Sequence, residues 1–122
     1  MDINFALGAF GALSQKTRLD VFRLLIKAGP DGMSSGEIGE VLGVRQNTMS
    51  ANLSVLLQAG LVKNEREGRS IRYFANMDRT RDLLTFLLAD CCGGHPDLCA
   101  QVMEIVTCQA ETTSNEDHRE GL

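Results

Sequence analysis

No apolar run in this chain approaches the roughly 18 residues that would carry a helix across a membrane. The opening Met1-Asp2-Ile3-Asn4-Phe5 lacks the basic stretch that begins a secretory signal, so none is expected. There is no Cys-x-x-Cys pair, no phosphate-cradling glycine loop and no histidine in a context that suggests a catalytic base, so no enzymatic activity is expected. Internal repeats are absent. So is any excess of positive charge: the net charge is −4, which taken alone argues against nucleic acid.

What is present narrows the problem. With 122 residues, 43% of them hydrophobic and 23% charged, the chain is long enough for one well-packed soluble domain and too short for two. Charge is segregated along it. Residues 45–81 hold seven Lys and Arg against three Asp and Glu, whereas residues 82–122 hold one against eight. The middle can therefore meet phosphate while the acidic C-terminal third faces elsewhere.

Periodicity gives mainly helices. Ile3, Leu7 and Phe10 mark a short, scarcely charged helix that needs cover, for which a second subunit is suited. Ser14 can cap a second helix striped by Leu19, Phe22, Leu25 and Ile26, which ends at Gly29-Pro30-Asp31-Gly32. Ser34 or Ser35 caps a third, with Glu37 in its first turn and Ile38, Val41 and Leu42 inward. Gly43 breaks it, and a fourth helix follows, completing a helix-turn-helix pattern.

That fourth helix organises the rest. Met49, Leu53, Leu56 and Leu57 form its apolar stripe, and the opposite face carries Asn47, Ala51 and Ser54, flanked by Thr48 and Ser50. A solvated face usually carries Lys and Glu. Short uncharged donors and acceptors suit a helix in a DNA major groove, with Gln46 in the first turn, where bases are reached. After Gly60, two short strands flank the tip Arg66-Glu67-Gly68-Arg69. This small β-hairpin reads as a wing whose Arg66, Arg69 and Arg72 hold phosphates or enter the minor groove.

Asp78 can cap a fifth helix through Asp90, apolar on much of its circumference and therefore suited to burial by its own core and a second subunit. Pro96 fits the start of a sixth. The fold expected is mainly α with a small β-hairpin: a dimeric winged helix-turn-helix of five to six helices over residues 1–108, with 109–122 a disordered acidic tail.

Cys91, Cys92 and Cys99 are the chemically loaded residues. Without an export signal, clustered thiols point to a reducing cytoplasm and to ligand or redox roles. Neighbouring side chains on a helix diverge by about 100°, so Cys91 and Cys92 can share an ion only if the helix unwinds, which Gly93-Gly94 permits. Cys99 falls in the first turns of the sixth helix, where the helix dipole favours thiolate. Three thiolates fit a pyramidal trivalent ion such as As(III) or Sb(III). His95 could complete a Cys3His zinc site, although as a residue preceding the sixth helix it needs no such role. Cys108 lies about 180° around that helix from Cys99 and reads as a small apolar residue.

The stretches LSQKTRLDVFRLL, SSGEIGEVLGVRQNTMSANLSVLLQAGLV and REGRSIRYFA resemble the winged-helix repressors of the ArsR/SmtB family, and CCGGHPDLC resembles the cysteine cluster of an arsenic-responsive subset. The likeness covers residues 13 to 99. It implies a homodimer on double-stranded operator DNA, repressing arsenic-resistance genes until As(III) or Sb(III) binds; a zinc- or thiol-redox-responsive repressor is the alternative. Another subset keeps a Cys-x-Cys pair where this chain has Met33-Ser34-Ser35-Gly36, and the zinc-sensing subset places histidine on the fifth helix, where residues 78–90 have none. Arg45 replaces a common capping Ser and Asn52 a common His, changes that leave the docking mode intact but the operator sequence open.

Overall fold

Helix α1 (Ile3–Leu13) is capped by Asp2, whose carboxylate accepts from the Phe5 N–H at 2.9 Å. It turns Ala6, Ala9 and Ala12 into the core and leaves Ile3 and Leu7 about 60% exposed, so it is apolar on both sides. In the computed structural model, which describes residues 2–88, the following elements are α2 (Lys16–Ala28), a 3-10 turn (Gly29–Asp31), β1 (Met33–Ser34), α3 (Ser35–Leu42), α4 (Gln46–Gln58), β2 (Val62–Glu67), β3 (Ser70–Ala75) and α5 (Met77–Leu88). The expected sixth helix, the cysteine cluster and the acidic tail lie outside the described residues.

Four local expectations are corrected, the first being Val41, which was expected inward on α3 and is 61% exposed. Ser14 ends α1, its N–H and hydroxyl both donating to the Gly11 carbonyl; Gln15 caps α2 by accepting from the Arg18 N–H at 2.8 Å. Asn76, rather than Asp78, begins α5, accepting from the Arg79 N–H. The hairpin has a third neighbour as well. Met33 and Ser34 pair with Tyr73 and Arg72, giving an antiparallel sheet ordered β1-β3-β2. Two residues are too few to show an alternating pattern, so only the partner strand reveals β1.

The helix ends follow from side chains and glycines. Ser34 and Glu37 form a full capping box at α3. After α4, the Leu61 N–H donates to the Leu56 carbonyl and the Gly60 N–H to that of Leu57, a Schellman close that requires the positive φ of Gly60 (79°). Val21, Leu25, Ile38, Met49, Leu53, Leu56 and Leu61 are the largest fully buried side chains, so α2, α3, α4 and the entry to β2 supply the bulk of a core that the alanines of α1 complete.

Candidate nucleic-acid interface

The inward side of α4 is Met49, Asn52, Leu53 and Leu56. Everything assigned from sequence to its outer side is exposed: Gln46, Asn47, Thr48, Ser50, Ala51 and Ser54. That face carries no ionised group. The helix opens without a side-chain cap at Arg45, so Asn47 folds its carbonyl oxygen onto the Thr48 N–H at 2.8 Å.

Two polar interlocks fix where α4 sits. Gln46 accepts from the Ser35 hydroxyl and donates to the Ser35 carbonyl, each at 3.1 Å, joining the first residues of α3 and α4. Gly39 makes that approach possible: a Cβ there would run into the Gln46 amide and stand 2.9 Å from the Val44 carbonyl. Asn52, only 7% exposed, donates to the Thr48 carbonyl at 3.1 Å and accepts from the Arg18 guanidinium at 3.2 Å. Sequence reading placed Gln46 among base readers and gave Asn52 no contact; the structure makes both of them fasteners. The signal for Asn52 was there, an amide within an apolar stripe, but its partner lies 34 positions away.

The wing sorts its charges by strand alternation. Lys63, Glu65 and Glu67 share one face of β2, while Asn64 and Arg66 share the other. Gly68 takes a φ of 60° in the two-residue turn, and Arg69 is exposed beside it. Arg72 behaves otherwise. Its guanidinium donates to the carbonyls of Asp31 (2.9 Å) and Gly32 (3.0 Å) and reaches Glu37 at 3.4 Å, holding β3 against the loop before α3. Arg72, expected with Arg66 and Arg69 at the DNA, has its donors turned into the protein in this structure.

Glu37 closes this corner. The Ser34 backbone N–H donated to it holds its carboxyl below the usual range; slight burial opposes this, and Arg72 assists. Among the described residues, no group of three or more His, Cys, Asp or Glu side chains could hold a metal ion, and no helix is long and apolar enough to cross a membrane.

Comparison with known proteins agrees with this geometry. A helix-turn-helix domain family matches residues 13–65. A probable mercury resistance operon repressor of Streptomyces lividans is 33% identical over 82 residues, 67% of this chain and 62% of that protein, so the chain spans about three fifths of its length. The transcriptional repressor SdpR of Bacillus subtilis is 32% identical over 65% of this chain and 84% of its own. The homodimeric winged helix-turn-helix domain of a possible ArsR-family regulator from Mycobacterium bovis superposes with a TM-score of 0.60 at 29% identity, covering 72% of this chain and 81% of that one. Such relatives accord with the absence of enzyme motifs. An exposed polar helix face fastened to its neighbours beside an arginine-tipped hairpin, and matched in sequence and fold to these regulators, places the chain in the ArsR family of winged helix-turn-helix transcriptional regulators.

Proposed function

We propose that the chain is a cytoplasmic homodimeric repressor of arsenic-resistance genes, released from operator DNA when As(III) or Sb(III) binds Cys91, Cys92 and Cys99. The observation that carries the DNA reading is the uncharged, exposed face of α4. Asn47, Thr48, Ser50, Ala51 and Ser54 are assigned to base edges, and Arg66 and Arg69 to phosphates. Gln46 contributes by holding the start of the helix at α3. The apolar outer side of α1, with Ile3 and Leu7, supports a second subunit, as does the homodimer formed by the Mycobacterium bovis relative.

The inducer reading rests on donor chemistry. Three thiolates within nine residues suit a soft, three-coordinate ion, and zinc would need His95 or another fourth donor. The relative named for mercury resistance supports a thiophilic inducer. Gathering three sulfurs at the joint between the fifth helix and the residues beyond it would alter the spacing of two reading helices. Operator half-sites sit about one helical turn apart, so a shift of a few ångströms disengages one half. The ion must bind the released geometry more tightly than the DNA-bound one, and a coupling of about 1–3 kcal/mol suffices.

A gel-shift titration on the chain's own promoter DNA, with arsenite, antimonite, mercuric ion, zinc and peroxide added separately, tests this. Release by arsenite and antimonite supports it. Release by zinc alone or peroxide alone selects the zinc- or thiol-redox-responsive alternative, and no DNA binding under any condition rejects the repressor.

A further inference from the structure

Arg18 touches three helices. It belongs to α2, its Nε donates to the Ala12 carbonyl at the end of α1 (2.7 Å), and its Nη1 donates to the Asn52 amide oxygen on α4 (3.2 Å). Ala12 is among the last four residues of α1, whose carbonyls have no partner within their own helix. Asn52 passes the connection on by donating to the Thr48 carbonyl, on the turn that carries the exposed polar face. The path from the end of α1 to the reading turn is hydrogen-bonded throughout. Arg18 itself lines a shallow groove of about 290 Å³ between these helices, together with Gly8, Gly11, Val55 and Gln58.

We propose that Arg18 is a positioning residue for DNA recognition: through Asn52 it sets the rotation of the reading helix about its own axis relative to α1. The apolar stripe of α4 cannot do this alone. Met49, Leu53 and Leu56 are held by non-directional contacts that tolerate small rotations, whereas a guanidinium fork between two fixed oxygens has one register. Arg18 uses neutral oxygens as partners and reads no phosphate itself. The inference rests on the DNA-binding reading above. It adds that the helix bearing the exposed Ile3 and Leu7 is mechanically tied to the helix that meets DNA.

Fluorescence anisotropy on labelled promoter DNA tests it with wild type, Arg18→Met, Asn52→Leu and the double variant. Each single variant is expected to bind about tenfold more weakly, and the double no more weakly than the worse single, as for two ends of one connection. The dependence of affinity on salt should match wild type, because no phosphate contact has been removed. Unchanged affinity, losses that multiply in the double, or a shallower salt dependence would each overturn the proposal. Arg18→Lys guards against variants that fail to fold. It keeps the charge, but a single ammonium cannot span both oxygens as the fork does, so binding should weaken several-fold while melting stays within roughly 5 °C of wild type. Melting that falls in proportion to binding would make Arg18 a general stabiliser and overturn the proposal. Should wild type bind no promoter DNA, the functional reading fails instead. Amide NMR shifts in Arg18→Lys then decide the connection: shifts across 47–54 support it, and shifts confined to 10–20 overturn it.

Discussion

Removing the guanidinium of Arg72 separates an internal strut from a phosphate contact. In Arg72→Ala, two hydrogen bonds from a charged donor to the carbonyls of Asp31 and Gly32 are lost. Such bonds contribute about 1.5–3 kcal/mol each when well shielded. The side chain is 28% exposed, and water can reach both carbonyls once it is gone, so about 2 kcal/mol in total is the expected cost. The 3.4 Å approach to the water-exposed Glu37 adds little. For a domain of this size that predicts a fall in melting temperature on the order of 10 °C. Operator binding should respond differently. Arg45, Arg66 and Arg69 are the exposed cations near α4 and the hairpin tip without an ion-pair partner among the described residues, so a dimer offers six. If all six release counterions, the slope of log affinity against log salt is about −5. Arg72→Ala should leave that slope unchanged, and Arg69→Ala should make it shallower by about 2 per dimer while leaving melting nearly unaffected. Unfolding curves and anisotropy titrations from 50 to 300 mM salt, roughly the range in which such slopes are read, give both numbers. A shallower slope with unchanged melting in Arg72→Ala would refute the strut.

Other perturbations are expected to act as follows. Gly39→Ala should cost about 1–3 kcal/mol in chemical denaturation and weaken operator binding, because the Gln46 amide can swing aside but the Val44 carbonyl at 2.9 Å cannot; wild-type stability would show that the two helices are free to separate. Glu37 has its folded pKa lowered, so its contribution is present above the unfolded value and lost as pH falls through the folded one. Glu37→Gln should therefore flatten the stability profile on the acid side only, and a change confined to neutral or alkaline pH would contradict the assignment. Cys91→Ser, Cys92→Ser and Cys99→Ser should each retain operator binding and lose release by arsenite, while Cys108→Ser changes little; gel shifts with and without arsenite decide, and a Cys108 variant that cannot be released would overturn the ligand set.

Patterns carried by neighbours in sequence were legible, and those carried by distant partners were not. The stripe of α4, its outer polar face, the Ser34 cap with Glu37 and the stop at Gly60 are all short-range, and each stands where spacing put it. The third strand escaped because Met33 and Ser34 alternate with nothing; their pairing depends on β3, some 40 residues on. The intramolecular partners of Arg72 were hidden for a related reason. A guanidinium on a hairpin reads as a surface charge until the 3-10 turn brings two carbonyls to it, and no local pattern announces that fold-back. Gln46 has the right position for reading bases, yet Ser35, eleven residues earlier, takes both ends of its amide.

These long-range partnerships share a physical cause that bears on how the fold would serve recognition. A helix that offers one whole face to DNA keeps only part of its circumference for packing, and four residues of α4 are buried. Apolar contact on so narrow a stripe gives adhesion without direction. Recognition needs direction, since a bidentate contact to a base edge tolerates little displacement. The chain supplies it with polar side chains spent on the protein itself: Gln46 against Ser35 at the first turn, Asn52 against Arg18 two turns on, and Arg72 across the root of the wing. From sequence, Gln46 and Arg72 read as DNA contacts, and Asn52 only as an amide within an apolar stripe. On the proposed reading, spending these three on the protein leaves the short side chains of α4 and the tip arginines Arg66 and Arg69 for the duplex.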